Sequence, residues 1–364
     1  MTGRKKVLFV LHLPPPVHGA AVMGTVIRDS ALLDAHFECR FLNLSASSSL
    51  EEVGRWSLKK LSFLFRISRS VRKEIRQWHP DLVYFTPTAS FPGVLKDYGV
   101  IRMSGCKRHS RTVLHFHNKG VAASPAGRWK DGLYRDLFRN TKVILLSERL
   151  YPDVANYVSR ENVSICANGL DYPTMAHSKG SAVPEILFLS NLIPSKGVGD
   201  LLEACCLLRD RGIPFSCRFV GGETETITKR VLLECIERKG LQSMVRYDGP
   251  LFGAEKQSAF AHADVFVLPT REDCFPLVIL EAMAAGIPVV STYEGGIPDE
   301  VDEGVTGLLC GSGDSLALAD ALQKLITDED LRLQMGKMGR LSYLQRFTAA
   351  CFEKRFEEVL LKYV

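Results

Sequence analysis

Residues 264–299 constrain this chain more than any other stretch, because they spell strand, loop, helix, strand and loop in quick succession. Val265–Leu268 is a short apolar run closed by Pro269, as suits a strand buried in a parallel sheet. Thr270–Cys274 is polar and carries two acids. Leu277–Ala285 is apolar with Glu281 inside it, and Gly286 closes it as a helix C-terminal glycine does. Ile287–Ser291 reads as the next strand and Tyr293–Pro298 as a glycine turn. Alternating strands and helices predict an α/β fold with a parallel sheet. Ligands of such sheets bind at the carboxyl ends of the strands, where both loops lie. The helix opening at Phe275–Leu277 offers backbone N–H groups with no intrahelical partner, which suit a phosphate or sugar hydroxyls. Asp273 and Glu281 are eight apart, a little over two helical turns, so Asp273 sits at the helix mouth and Glu281 down its side. A ligand with a phosphate, a sugar and a ribose uses all three features.

A length of 364 residues suggests two domains with full-sized cores. Ten cysteines are scattered from Cys39 to Cys351 with no C-x-x-C pair, the pattern of reduced thiols in a cytosolic protein. No Cys/His cluster has zinc-ligand spacing, so no metal site is expected. The first apolar stretch, Val7–Leu13, contains His12 and runs into Pro14–Pro16, which favours a first strand over a secretory leader. No apolar run reaches about 18 residues, so no membrane-spanning segment is expected. Charge is uneven. Residues 1–180 hold 27 Lys and Arg against 14 Asp and Glu, a net +13, and the rest holds 19 against 27, a net −8. A basic half suggests an anionic partner.

Lys6–Leu13 reads as the first strand. The loop Pro14–Gly19 follows, then a helix over Ala21–Leu33, and Gly19 lets backbone approach a ligand closely. Residues 36–44 suit a second strand and Ser45–Ser49 a polar loop. Arg55–Trp78 carries eight Lys and Arg against the single acid Glu74, with Leu58, Leu61, Phe65 and Ile67–Val71 near helical intervals. Such a helix can lie on an anionic bilayer; the alternative is a solvated basic face whose apolar stripe packs on the sheet. Trp78 is assigned to the core. Pro80–Thr86, Arg111–His117, Lys142–Ser147 and Val163–Ala167 are further strands, and Thr86–Gly93 is a loop suited to an acceptor. His115 and His117 are expected to point to opposite faces, with His117 at the carboxyl end beside Asn118 and Gly120. A histidine on a strand is most often a satisfied core group, and its place at the strand end favours function for His117. Residues 171–184 have linker composition. Beyond them Glu185–Ser190, Phe215–Gly222 and Val245–Gly249 read as strands. Gly199–Arg209, Ile227–Arg238, Leu316–Ile326, Leu331–Gln345 and Ala349–Tyr363 read as helices.

The pattern of Asp273, seven residues, then Glu281, with Phe275 after the first acid and Glu281-Ala282-Met283-Ala284 at the second, resembles the signature of the group 1, retaining glycosyltransferases of the GT-B fold. That resemblance implies two Rossmann-like domains facing a central cleft. The division would be 1–175 on the acceptor side, 176–345 binding a nucleotide sugar, and 346–364 as a helix crossing back. It implies Glu281 for the ribose hydroxyls, and Asp273 with the backbone at Phe275, Pro276 and Leu277 for the donor sugar. Lys196-Gly197 matches the lysine that binds the donor diphosphate. Asn191 stands where the family has arginine, which leaves Arg271 as the candidate to replace that charge. Gly222, Gly295 and Gly296 fall in donor loops, Gly19 near the diphosphate and the acceptor, and His117 at the histidine that contacts the donor sugar and is needed for transfer. The family usually has Glu where this chain has Asp273.

The implied activity is transfer of a sugar from a nucleoside diphosphate sugar to a hydroxyl of a glycan or lipid-linked acceptor. The anomeric configuration is retained, with neither metal nor cofactor, and the setting is bacterial surface polysaccharide or lipopolysaccharide assembly at the inner face of the plasma membrane. An epimerase or phosphorylase of the same fold lacks its own cofactor lysine or acid–base set here. A non-catalytic sugar-nucleotide-binding or partner subunit is the alternative from a different class. A nucleic-acid role lacks an aromatic platform among the basic residues.

Overall fold

The computed structural model describes residues 3–45, 58–109, 111–124, 127–173 and 183–364. The loop expected at Ser45–Ser49, the start of the basic stretch at Arg55, and most of the linker expected at 171–184 lie outside the described residues. The chain divides into two compact units, Met1–Leu170 with Ala349–Val364, and Asp171–Thr348.

The first unit runs β1 (Lys5–Leu11), α1 (Gly19–Arg28), α2 (Ala31–His36), β2 (Phe37–Asn43), α3 (Leu58–Trp78), β3 (Leu82–Phe85), α4 (Gly93–Ser104), α5 (Cys106–His109) and β4 (Arg111–His115), then α6 (Arg128–Phe138), β5 (Lys142–Leu145), α7 (Tyr151–Val154) and β6 (Val163–Ile165). Its six strands are all parallel, in the order β2-β1-β3-β4-β5-β6. All four side chains of β3 are buried, as the unbroken run Leu-Val-Tyr-Phe requires of a strand covered on both faces.

The second unit runs β7 (Glu185–Leu189), α8 (Val198–Asp210), β8 (Ser216–Val220), α9 (Lys229–Arg238), β9 (Val245–Tyr247), α10 (Gly253–His262), β10 (Val265–Leu268), α11 (Leu277–Ala285), β11 (Val289–Thr292), α12 (Ile297–Glu300), β12 (Gly307–Cys310), α13 (Ser315–Thr327) and α14 (Glu329–Arg346). Its sheet is also parallel, ordered β12-β11-β10-β7-β8-β9. The strand order therefore reverses between β7 and β10, the switch point where an open α/β sheet leaves a crevice for a ligand. Helix α15 (Ala349–Tyr363) returns the chain to the first unit.

Three expectations change in detail. The single helix expected over Ala21–Leu33 is two, because the Ser30 side chain caps α2 by accepting from the Leu33 N–H at 3.3 Å. The first strand ends at Leu11; the next N–H groups go to side chains, that of His12 to Thr86 at 3.3 Å and that of Leu13 to Asn43 at 3.2 Å. In α3 the apolar stripe of Leu64, Ile67, Val71, Ile75 and Trp78 is buried in the first unit, where the helix packs on α4, α5 and β2. Trp78 donates to Glu38 at 2.9 Å and lies under the Arg40 guanidinium at 4.5 Å, a core role. No helix among the described residues is long and apolar enough to cross a membrane.

Candidate functional site

The loops that follow β7, β8, β10 and β11 are tied to one another at the carboxyl end of the second sheet. After β7, the Ser195 carbonyl accepts from the Arg271 N–H at 2.7 Å and from the Thr270 hydroxyl at 3.1 Å. From β11, Thr292 donates to the Thr270 carbonyl at 2.7 Å. This lacing sets Lys196 opposite Asp273 across the switch point. Lys196 Nζ donates to Asp273 Oδ2 at 2.6 Å and to the Glu272 carbonyl at 3.0 Å. The two side chains are about one-fifth exposed, so the pair is screened less than a surface pair yet open to a ligand.

Gly295 lies beneath that pair. Its φ is +56°, and a Cβ there would meet the Asp273 carbonyl oxygen at 2.3 Å. Only glycine fits both the left-handed backbone and the close approach. The Gly296 N–H then donates to the Cys274 carbonyl at 2.7 Å. The glycine pair thus holds the Asp273–Cys274 segment in place.

Helix α11 begins with Pro276 at its N-cap, and no side chain caps it. Among the described residues no side chain caps the first-turn N–H groups at Leu277 and Val278, which open beside Asp273 and suit an anionic or hydroxyl ligand. The Phe275 ring is buried and meets Phe347 edge-on at 5.9 Å, so at Phe275 and Pro276 only the backbone is available. Glu281 sits further down the helix. Lys256 of α10 reaches it, with Nζ at 2.7 Å from Oε1 and 2.5 Å from Oε2. Burial pushes the Glu281 carboxyl up from its ordinary range, while the Lys256 charge and hydrogen bond pull it down.

Asn191 does not occupy the place of a charge donor. Its Oδ1 accepts from the Gly222 N–H at 3.1 Å and joins the loops after β7 and β8. Between them Gly221, at φ +151°, brings its Cα so close to the Ser190 carbonyl that a Cβ would meet the oxygen at 1.8 Å. Arg271 is not free to replace the missing arginine. Its guanidinium forms a fork on Asp200, with Nε at 2.8 Å and Nη2 at 2.5 Å.

Glu300, on α12 just past the glycine pair, is wholly buried, and neither carboxyl oxygen accepts a hydrogen bond among the described residues. Burial raises its carboxyl well above the usual range, and the charge of Asp273 raises it further.

Gly19 and His117 belong to the first unit. Gly19 is the first residue of α1, whose N-cap His18 accepts from the Ala21 N–H at 3.4 Å. His115 and His117 do not face opposite ways. Residues two apart on a strand share a face, and the two rings lie 4.3 Å apart. His115 Nδ1 is bonded to the Tyr84 hydroxyl at 2.8 Å, a core role. Both ring nitrogens of His117 are buried and without a hydrogen-bond partner among the described residues. Burial, with a smaller contribution from the His18 charge, lowers its pKa to about 4. His12 stands at the end of β1, with Nδ1 3.2 Å from the Thr86 hydroxyl and its ring 5.6 Å from that of His18. The first unit therefore gathers, at the carboxyl ends of β1 and β4, imidazoles whose pKa is lowered by burial.

Residues 183–328 match the family model described as Glycosyl transferases group 1. That stretch, which makes up most of the second unit, is a group 1 glycosyltransferase segment. Over 263 residues the chain is 30% identical to WcaL of Escherichia coli strain K12, provisionally named a colanic acid biosynthesis glycosyltransferase. That match covers 68% of this chain and 62% of the relative, so the chain spans less than two thirds of the relative's length. A D-inositol 3-phosphate glycosyltransferase of Corynebacterium urealyticum is 37% identical over 154 residues, 41% of this chain and 36% of that one. Among solved structures, the sucrose-phosphate synthase of Thermosynechococcus elongatus superposes with a TM-score of 0.75 at 18% identity over 99% of both chains. Anabaena HepE, solved with UDP and glucose, gives 0.71 at 21% identity over 99% of this chain and 100% of its own. These likenesses establish the GT-B fold.

Within the segment that matches the family, Lys196, Asp273, Phe275–Leu277 and Gly295–Gly296 lie in loops and a helix start at the carboxyl end of the second sheet, and Glu281 lies on α11. Lys256, Glu300, His12 and His18 escaped the sequence reading. His12 was legible only as a polar residue inside an apolar run. Lys256 sits on a helix with no motif around it.

Proposed function

We propose that the chain transfers a sugar from a nucleoside diphosphate sugar to a hydroxyl of a glycan or lipid-linked acceptor, with retention at the anomeric carbon, in assembly of a surface polysaccharide. The observation that carries this reading is the Lys196–Asp273 pair at the mouth of an uncapped helix, with Glu281 about one turn along it. Lys196 and the first-turn N–H groups of α11 bind the diphosphate, Asp273 accepts from sugar hydroxyls, and Glu281 accepts from the ribose. When a donor enters, Lys196 leaves Asp273 for the phosphate, which frees the carboxylate for the sugar. Positive charge at Lys196 then stabilises the departing nucleoside diphosphate. The bond from C1 to the diphosphate oxygen breaks, the acceptor oxygen bonds on the same face, and the departing diphosphate takes the acceptor proton. His117, neutral at pH 7, accepts from or donates to a donor sugar hydroxyl. The reading is supported by HepE, whose structures hold UDP-glucose or UDP with glucose, and by the polysaccharide name attached to WcaL.

A second reading, a sugar-nucleotide-binding subunit without turnover, is favoured by one observation. Asn191 brings no charge, and Arg271 is committed to Asp200. Nucleotide release from a panel of UDP-, GDP- and ADP-sugars, with and without chelator, separates the two. Slow release from one donor class that survives chelation and disappears in Glu281→Ala is the expected result. Tight binding with no release in the presence of candidate acceptors supports the subunit reading, and release that depends on a divalent ion refutes the metal-free mechanism.

A further inference from the structure

Glu281 is placed to do something that its burial opposes. A carboxylate removed from water tends to hold its proton, and the side chain here is only 12% exposed. A protonated carboxyl keeps one oxygen as a weak acceptor and turns the other into a donor. It would then bind two adjacent ribose hydroxyls poorly, since both need acceptors. The group that opposes this lies on the neighbouring helix. Lys256 Nζ donates to Oε1 at 2.7 Å and lies 2.5 Å from Oε2, which is buried and accepts no hydrogen bond among the described residues. A carboxylate has about four acceptor positions, so an ammonium that bonds Oε1 and neutralises the pair leaves acceptor positions on both oxygens for a ligand.

Among the described residues, Lys256 is the cation whose charge and hydrogen bond act on Glu281. Lys256 and Phe260 lie one turn apart on α10 and so share a face. Phe260 meets the Tyr172 ring edge-on at 5.7 Å. The Tyr172 hydroxyl is buried, has no hydrogen-bond partner among the described residues, and is pushed to higher pKa by burial and by the Glu281 charge. Tyr172 therefore faces Glu281 as a neutral phenol. From α14, Arg340 is directed to the Ala284 carbonyl, a turn beyond Glu281. The charge balance at Glu281 rests on Lys256.

We propose that Lys256 is a positioning residue of the nucleoside subsite: it holds Glu281 as an oriented carboxylate, so that both oxygens accept from the vicinal hydroxyls of a ribose. This rests on the nucleotide-sugar reading given above. It assigns a task to a helix that carries no recognisable motif, and it makes binding of the ribose, rather than the chemical step, the property that depends on Lys256.

The test is calorimetric binding of UDP, GDP and ADP, each with its 2′-deoxy counterpart, between pH 5.5 and 8.5. The proteins are the wild type, Lys256→Met, Lys256→Arg, Glu281→Gln and the Lys256→Met/Glu281→Gln double variant. Wild-type affinity for the preferred ribonucleotide is expected to be nearly level with pH and tenfold or more above that for the deoxy analogue. In Lys256→Met, ribonucleotide affinity falls at least tenfold at pH 6 and recovers as the pH rises and the carboxyl ionises. The preference for ribose over deoxyribose collapses in parallel. Lys256→Arg restores the level profile, Glu281→Gln is weak at every pH, and the double variant is no worse than Glu281→Gln alone. A loss in Lys256→Met that is equal at all pH values, equal for ribose and deoxyribose, or absent overturns the proposal while leaving the nucleotide reading intact. No wild-type binding of any of the nucleotides overturns both. Unchanged thermal unfolding of Lys256→Met confirms that the comparison is between folded proteins.

Discussion

At the scale of single residues, the site depends on geometry that a motif only partly encodes. The glycine pair is the clearest case. Gly295 and Gly304 both have positive φ, +56° and +75°, but a Cβ at Gly304 meets nothing within 4 Å, whereas at Gly295 it meets the Asp273 carbonyl. Gly304→Ala isolates the backbone strain, about 1–2 kcal/mol. Gly295→Ala adds a clash with the segment that carries Asp273. It is expected to destabilise by a further ~1–3 kcal/mol and to raise the donor KM at least tenfold, where Gly304→Ala leaves KM within about twofold. Thermal unfolding and donor kinetics of the two variants check this, and equal KM values for the two would remove the cradle role of Gly295. Sequence spacing singled out Lys196 and Asp273 in the segments after β7 and β10, and Glu281 on α11, because each stands next to a readable strand or helix. It did not find Lys256 or Glu300, whose meaning depends on which helix packs on which. It also put His115 and His117 on opposite faces, although a strand period of two places them together.

At the scale of elements, most strands and helices were legible, because a buried parallel strand is a short apolar run and a helix ending in glycine is a strong stop signal. Errors gathered where a side chain competes with the backbone, as at Ser30, or where N–H groups leave the ladder early, as at His12 and Leu13. Helix α3 shows what an amphipathic pattern does and does not say. The pattern gave the helix correctly, and its apolar stripe is used within the first unit. The opposite face exposes Arg66, Arg69, Arg72, Lys73 and Arg76, and Phe65 beside them is 60% exposed. We propose that this face docks electrostatically on anionic lipid, with no insertion of the helix stripe. Each basic residue near such a surface contributes about 1 kcal/mol, so Arg66→Glu/Arg69→Glu/Arg72→Glu is expected to weaken binding to phosphatidylserine vesicles by about 100-fold or more. Wild-type binding is expected to fall steeply between 50 and 300 mM salt, and neutral vesicles are expected to bind neither protein. Binding that is indifferent to salt and to the triple substitution would rule the proposal out.

At the scale of the whole molecule, the chain leaves the first unit, builds the second, and comes back with α15. That return matters because α15 completes a core whose other part ends at Leu170, before the whole of the second unit. Phe352, Phe356 and Leu360 are fully buried, and the Phe356 ring lies 5.2 Å from Tyr84, 6.1 Å from His115 and 6.4 Å from Phe9. The Tyr363 and Ser164 hydroxyls are bonded at 2.6 Å, Arg355 donates to the Ala167 carbonyl at 3.2 Å, and His36 pairs with Glu357. Truncating one buried Phe or Leu to Ala costs about 2–5 kcal/mol, and a domain is stable by about 5–15 kcal/mol in total. Losing three such side chains together therefore exceeds what the first unit can spare. A chain ending at Thr348 is expected to keep the second unit folded and to leave the first without a cooperative transition. The fragment Asp171–Thr348 is expected to unfold in one transition at the temperature of the surviving one. Calorimetry with hydrogen exchange read at β1, β3 and β4 checks this: strong protection there in the chain ending at Thr348 would mean that the first unit folds without its last helix. If the prediction holds, the first unit cannot be completed until the second has been synthesised, so its folding waits for the whole of the sequence between Leu170 and Ala349.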